Sequence, residues 1–156
     1  RKKTAALFAA CAEAGARSAH SSDEMAKKAY LLGEMIGISF QIKDDIFDYY
    51  PSTEIGKPTA NDMREGKLTL PALYVLNNTN DEKIKNLAFR IRSLEATKEE
   101  IDGFIDYVKE NGGMEYARKI MVEYRNKALD LLPPQTSLPL REALAAYIDY
   151  VIERDN

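Results

Sequence analysis

The sequence has one cysteine and one histidine, and each scarcity removes a class of function. A lone Cys11 cannot close an internal disulfide, and with no secretion signal in the sequence a reduced, cytoplasmic setting is the expectation. Set in Ala-rich helical sequence, Cys11 reads as a small, inert core residue. A lone His20 leaves no His-based zinc site and no Ser/His/Asp relay within the chain. No apolar run approaches the ~20 residues needed to span a bilayer. Positive charge is short as well: 22 basic against 25 acidic residues give a net charge of −3, without the basic footprint of a nucleic-acid binder. What remains, at 156 residues with 45% hydrophobic and 30% charged, is one well-packed globular domain.

Helical signals fill the chain. Residues 1–19 read as helix from the first position, with Ala5, Ala6, Ala9, Ala10, Ala12 and Ala14 supplying propensity. That helix has no cap and no lead-in, so the chain is expected to begin inside an element, as a fragment does. Ser21 with Glu24 has capping-box spacing and opens a long helix to Tyr50, which Pro51 stops. Residues 51–61 are a loop by composition, and Asp62 with Glu65 repeats the capping-box spacing for a short helical turn. Pro71 suits the first turn of the next helix, and a further helix covers about 81–94. Thr97 with Glu100 caps another, ended by Asn111-Gly112-Gly113. Helices over about 114–131 and from Pro139 through Glu153 complete the chain. No segment reads as a strand, so the expected class is all-α, a bundle of long helices joined by short connections.

One stretch of the long helix has polar residues where a buried helix should be apolar. Gln41, Asp44, Asp45 and Asp48 fall at i, i+3, i+4 and i+7 on one stripe, flanked by Phe40, Ile42, Ile46, Phe47 and Tyr49. Gly33 and Gly37 continue the stripe, each at a helix cost of roughly 1 kcal/mol against Ala, which points to close approach by a neighbouring backbone or a ligand. Carboxylates so placed repel one another, and in a low-dielectric cleft the repulsion is relieved by protonation or by a cation. Oxygen ligands without His or Cys suit Mg²⁺ or Mn²⁺, and magnesium favours one or two carboxylates together with substrate phosphates. A solvated acidic face is the competing reading. A second row, Glu99, Asp102, Asp106 and Glu110, has that ordinary character, because Ile101, Phe104, Ile105 and Val108 form a separate apolar face.

A cation on the first row would attract a phosphorylated ligand, and the sequence supplies donors for one. Lys57 lies in Gly56-Lys57-Pro58, Lys67 in Gly66-Lys67-Leu68-Thr69, and Lys3-Thr4 on the first helix. Lysines beside magnesium and diphosphate act as point charges.

Taken together these residues resemble a known family. Asp44-Asp45-Ile46-Phe47-Asp48 is similar to the second aspartate-rich DDxxD motif of the trans-isoprenyl (polyprenyl) diphosphate synthases. Gly37, Gln41-Ile42-Lys43, Gly56-Lys57 and Asp62 to Pro71 stand in the family's order around it, and Lys3-Thr4-Ala5-Ala6-Leu7 resembles the Lys-Thr helix before it. The resemblance runs through residues 3–76. Beyond residue 80 it rests on helical character, with Arg154 a faint match to a basic C-terminus.

The resemblance implies a part of the isoprenoid synthase fold and the head-to-tail condensation of an allylic diphosphate with isopentenyl diphosphate, after magnesium-assisted ionisation of the allylic partner. Asp44 and Asp45, with Asp48 directly or through water, would hold metal. Lys3, Lys57 and Lys67 would contact the diphosphate, with Thr4 and Gln41 at the reaction centre. The other aspartate-rich motif, the arginine after it and the isopentenyl diphosphate pocket are not in this sequence. Residues 1–156 are therefore expected to be the C-terminal portion of one synthase domain, without turnover alone, prone to self-association, and a homodimer in full-length form. A class I terpene cyclase fragment and a non-catalytic regulatory subunit are the alternatives.

Overall fold

The computed structural model describes residues 2–50 and 60–153. Eight helices fill the described residues: α1 (Lys2–Ser18), α2 (Asp23–Phe47), α3 (Asn61–Arg64), α4 (Leu70–Asn78), α5 (Glu82–Arg92), α6 (Lys98–Glu110), α7 (Gly113–Asp130) and α8 (Leu138–Glu153). No strand occurs among the described residues, and the all-α expectation holds. The capping box of α6 forms as its spacing predicts, with Glu100 N–H donating to Thr97 Oγ1 at 3.3 Å and Thr97 N–H donating to the Glu100 carboxylate at 2.8 Å. Two other ends differ. Ser22 rather than Ser21 opens α2: its hydroxyl accepts from the Met25 amide at 3.3 Å, while the Ser21 hydroxyl is buried without a partner. α2 stops at Phe47 rather than Tyr50, because the Tyr49 and Tyr50 amides tighten onto the Ile46 and Phe47 carbonyls at 3.1 and 3.0 Å.

The chain clusters into two compact units, residues 1–43 with 120–155 and residues 44–119. In the first, Ile36, Ala128 and Ile148 form a core against which Phe8, Leu32, Met35 and Leu129 pack. Ser39, fully buried, donates its hydroxyl to the Met121 carbonyl at 3.0 Å and ties α2 to α7. A bidentate pair joins α7 to α8, with Arg125 Nε and Nη2 donating to the Asp149 carboxylate at 2.7 and 2.5 Å. Arg141 donates to the carbonyls of Leu129, Leu132 and Pro133 at 3.3, 3.4 and 3.2 Å, tying α8 to the end of α7 and the turn after it. On its other side α8 leaves Leu140, Tyr147 and Tyr150 at 53%, 58% and 63% exposure.

The second unit packs α3 to α6 and the start of α7 around Val75, Ile91, Phe104, Val108 and Met114, each no more than 2% exposed. Tyr74 and Tyr116 stack at 4.1 Å between ring centroids. α5 ends in a Schellman turn: the Leu94 amide reaches the Ile91 carbonyl and the Glu95 amide reaches the Arg90 carbonyl. Leu94 occupies the left-handed position at φ 61°, where glycine is the usual residue.

The close approach expected at Gly33 and Gly37 is observed, and its partner is α1. A Cβ on Gly33 would lie 2.4 Å from the Phe8 carbonyl oxygen, and one on Gly37 would lie 2.7 Å from the Ala5 Cα. α1 answers with small residues of its own, Ala5 at 8% and Ala9 at 0% exposure. This stripe also corrects the reading of Cys11. Cys11 is exposed, because it shares the opposite face of α1 with Leu7, Ala14 and Ser18. Phe40 of α2 packs against Phe8 of α1 at 5.7 Å between ring centroids.

Gly33→Ala or Gly37→Ala should destabilise the chain by about 1–3 kcal/mol through overpacking, although Ala is elsewhere the better helix former. Thermal unfolding reads this directly. An unchanged or raised midpoint would mean that α1 does not seat on these glycines.

Candidate functional site

The two acidic rows behave differently. In α6, Glu99, Asp102, Asp106 and Glu110 are all exposed, as expected of a solvated face. At the end of α2, Asp44 is exposed, Asp45 is buried to 4% exposure, and Asp48 and Gln41 are half-buried. Helical period places this row on one side of α2, and only part of it meets water.

Asp48 sits just past the last residue of α2 and turns its carboxylate onto the start of α3. Its Oδ1 accepts the Asn61 amide and its Oδ2 the Asp62 amide, both at 2.9 Å, while its own carbonyl accepts the Ala60 amide at 2.9 Å. This replaces the Asp62/Glu65 capping box expected from spacing. Asp62 lies inside the first turn of α3, and the position before the helix is Ala60, which makes no side-chain cap. Ala60 is left-handed at φ 64° and 1% exposed. For a non-glycine residue that backbone costs roughly 1–2 kcal/mol, so the surrounding contacts must over-determine it. Burial raises the Asp48 carboxyl above its ordinary range. The Asp62 and Asn61 amides draw it back, and the neighbouring Asp62 and Asp44 charges push it up again.

Tyr49, the next residue, does the same for α4. It is 2% exposed, its hydroxyl lies 3.4 Å from Thr69 Oγ1, and the Ala72 amide also approaches it. Thr69 precedes α4 and is 1% exposed. Between the two anchored helix starts runs Glu65 to Thr69, the segment that carries Lys67. The Lys67 amide donates to the Asp62 carbonyl at 2.7 Å, and its ammonium lies 3.8 Å from Asp62 Oδ1 and pairs with Glu65. Gly66 bends this segment at φ 72°, and a Cβ there would meet the Arg92 carbonyl oxygen at 2.9 Å and Leu94 Cδ2 at 3.2 Å. The turn after α5 thus presses on the residue before Lys67.

The second unit therefore holds Asp44, Asp45, Asp48 and Lys67. In the first unit, the register of α1 on α2 pairs Ala12 with Gly33 and Ala5 with Gly37. The antiparallel pairing puts Lys3 and Thr4, just before Ala5, at the same end as Gln41, one turn after Gly37. Lys3 is exposed and Thr4 half-buried. Lys57 and Arg154 lie outside the described residues. Among the described residues no three His, Cys, Asp or Glu side chains form a preformed metal cage. The donors are all oxygens, and exposed Asp44 beside buried Asp45 suits a cation that completes its shell with phosphate and water. A cavity of about 370 Å³ lined by Met63, Ile91, Leu94 and Ile101 includes none of the expected site residues. From the sequence Tyr49 reads only as a bulky flank and Asp62 as a capping and motif residue; their contacts to Thr69 and Lys67 are what the structure adds.

Comparisons with known proteins agree with the resemblance. A family model described as polyprenyl synthetase matches residues 1–108. The chain is 36% identical over 159 residues to heptaprenyl diphosphate synthase component 2 of Geobacillus stearothermophilus, covering 99% of this chain and 48% of that protein. It is 32% identical over 155 residues to geranylgeranyl diphosphate synthase of Methanosarcina mazei, covering 99% of this chain and 46% of that protein. The crystal structure of geranylgeranyl pyrophosphate synthase from Bacteroides thetaiotaomicron superposes with a TM-score of 0.91 at 55% identity, over 99% of this chain and 51% of that one. The chain thus spans about half the length of the relatives it matches. Among the described residues no helix is long and apolar enough to cross a membrane.

Burial holds the Tyr49 phenol above its ordinary value of 10.0, with Thr69 and Ala72 opposing. The neutral phenol is thus favoured in the folded state. Its contribution is complete below the unfolded value near pH 10 and is lost as pH climbs above it. The unfolding free energy of the parent chain should fall more steeply between about pH 9 and about pH 11 than that of Tyr49→Phe. At neutral pH the variant should lose about 1 kcal/mol with its hydroxyl contacts. Equal slopes in denaturant titrations at the two pH values would mean that the phenol is solvated.

Proposed function

Because this chain belongs to the polyprenyl synthetase family, we propose that it supplies the metal- and allylic-diphosphate-binding part of a prenyltransferase that joins an allylic diphosphate to isopentenyl diphosphate. The observation that carries this reading is the gathering of the Asp44/Asp45 pair and Lys67 in one compact unit, in the order of the family's motifs. Magnesium, when bound, would neutralise the diphosphate as it leaves the allylic carbon. Asp44 and Asp45 are the residues assigned to hold it, with manganese as a substitute.

The chain's own groups account for the rest of the chemistry. Lys67 is the point charge assigned to the diphosphate, reached by exchanging its Asp62 and Glu65 carboxylates for phosphate oxygens. Lys3 and Lys57 are assigned the same kind of contact. Thr4 and Gln41 present uncharged dipoles, fitted to an allylic cation that an anionic group would trap. Chain elongation is favoured over terpene cyclisation by the family match and by the Gly66 to Pro71 segment. The full-length protein would act as a homodimer. A relative named as a component 2 of its synthase leaves room for a regulatory partner chain.

Calorimetry of the chain should give more binding heat with Mg²⁺ and inorganic pyrophosphate together than the two give separately. Asp44→Ala and Lys67→Ala should each weaken that binding about tenfold or more, a loss of ~1.4 kcal/mol. Supplied with an allylic diphosphate, isopentenyl diphosphate and Mg²⁺, the isolated chain should form no elongated product. Heat that is insensitive to both substitutions would remove the diphosphate assignment, and turnover at ordinary rates would remove the proposal that the chain needs further sequence.

A further inference from the structure

We propose that Asp48 is a positioning residue rather than a metal ligand: with Tyr49 it fixes the segment that carries Lys67. The inference rests on the reading of Lys67 as a diphosphate contact. Both oxygens of the Asp48 carboxylate accept backbone amides, from Asn61 and Asp62 at 2.9 Å each, and its carbonyl accepts a third, from Ala60 at 2.9 Å. A cation drawn to that carboxylate would face amide hydrogens already aimed at the same oxygens. Asp44, by contrast, is exposed.

Consecutive residues grip the two helices that flank Lys67. Asp48 holds the start of α3, and Asp62 of that helix with Glu65 just past its end engages the Lys67 ammonium. Tyr49 holds the start of α4 through Thr69. From the third side, the Arg92 carbonyl and Leu94 close on Gly66. The left-handed, buried Ala60 lies where Asp48 meets α3. A strained residue persists where its neighbours leave it no alternative. The three-acid row is thereby divided: Asp44 and Asp45 keep the assigned metal role, and Asp48 places the lysine.

Asp48→Ala and Asp48→Asn in this chain separate the two roles. The asparagine is isosteric and keeps one acceptor, so it should fold where the alanine variant is weakened. Amide hydrogen exchange at Asn61 and Asp62 should speed up about tenfold or more in Asp48→Ala and less in Asp48→Asn. Affinity for Mn²⁺, followed by its electron paramagnetic resonance signal, should stay within about fivefold of the parent in Asp48→Asn, the size of a screened through-space charge effect. Affinity for Mg²⁺ with inorganic pyrophosphate should fall in the same order as the exchange rises. An Asp48→Asn chain that loses more than about fivefold in Mn²⁺ affinity overturns the proposal, and so does unchanged exchange at Asn61 and Asp62 in Asp48→Ala. A parent chain that binds no pyrophosphate defeats the diphosphate reading instead, and the exchange data then decide the role of Asp48.

Discussion

A carboxylate withdrawn from water must recover hydrogen bonds elsewhere, and the second unit is organised around how Asp48 does so. The donors it finds are backbone amides in the first turn of a helix, which reach no carbonyl of that helix. One side chain thereby relieves two shortages: its own desolvation, and the open amides of α3. The position of α3 follows from that exchange, and so does the course of the chain into α4. Tyr49 applies the same logic with a neutral hydroxyl, whose burial is tolerated because Thr69 and the Ala72 amide meet it. Neither interaction need be strong. A helix of four residues has little stability of its own, so contacts with the rest of the unit determine where it lies.

The first unit rests on the opposite device, the removal of side chains. α1 and α2 come close because glycine and alanine leave nothing between the backbones, and the approach is tight enough that a single methyl group would collide. The register of the two helices is then set by which small residues face one another. That register brings Lys3 and Thr4 to the same end as Gln41, which no feature of those three residues would arrange. The bidentate Arg125–Asp149 pair secures α8 on α7.

Much of this was legible in the chain. Helices announce themselves by period and by caps such as Thr97 with Glu100, and the glycines at 33 and 37 signal close approach by either a backbone or a ligand. The contrast between the two acidic rows was also readable, since one has a separate apolar face and the other is embedded among bulky residues. Capping failed where the acceptor came from a distance. Asp48 is separated from Asp62 by fourteen positions, so a rule that looks three residues ahead attributes the start of α3 to Asp62 and Glu65. At α2 the rule erred by one residue, choosing Ser21 over Ser22, because two adjacent hydroxyls offer the same chemistry and only backbone geometry distinguishes them. Cys11 was misplaced for another reason. In an Ala-rich helix almost every position is small, and composition does not say which side is inside.

The outward face of α1 has a practical meaning. Its single thiol is exposed, stands away from the glycine-lined seam, and has no second cysteine in the sequence to compete with it. A maleimide dye or nitroxide attached there would decorate one known point on one helix while the aspartates and lysines kept their native chemistry. The molecule thus arrives with a built-in attachment point for spectroscopy, at which the tumbling and seating of its first helix are observable without altering any other residue.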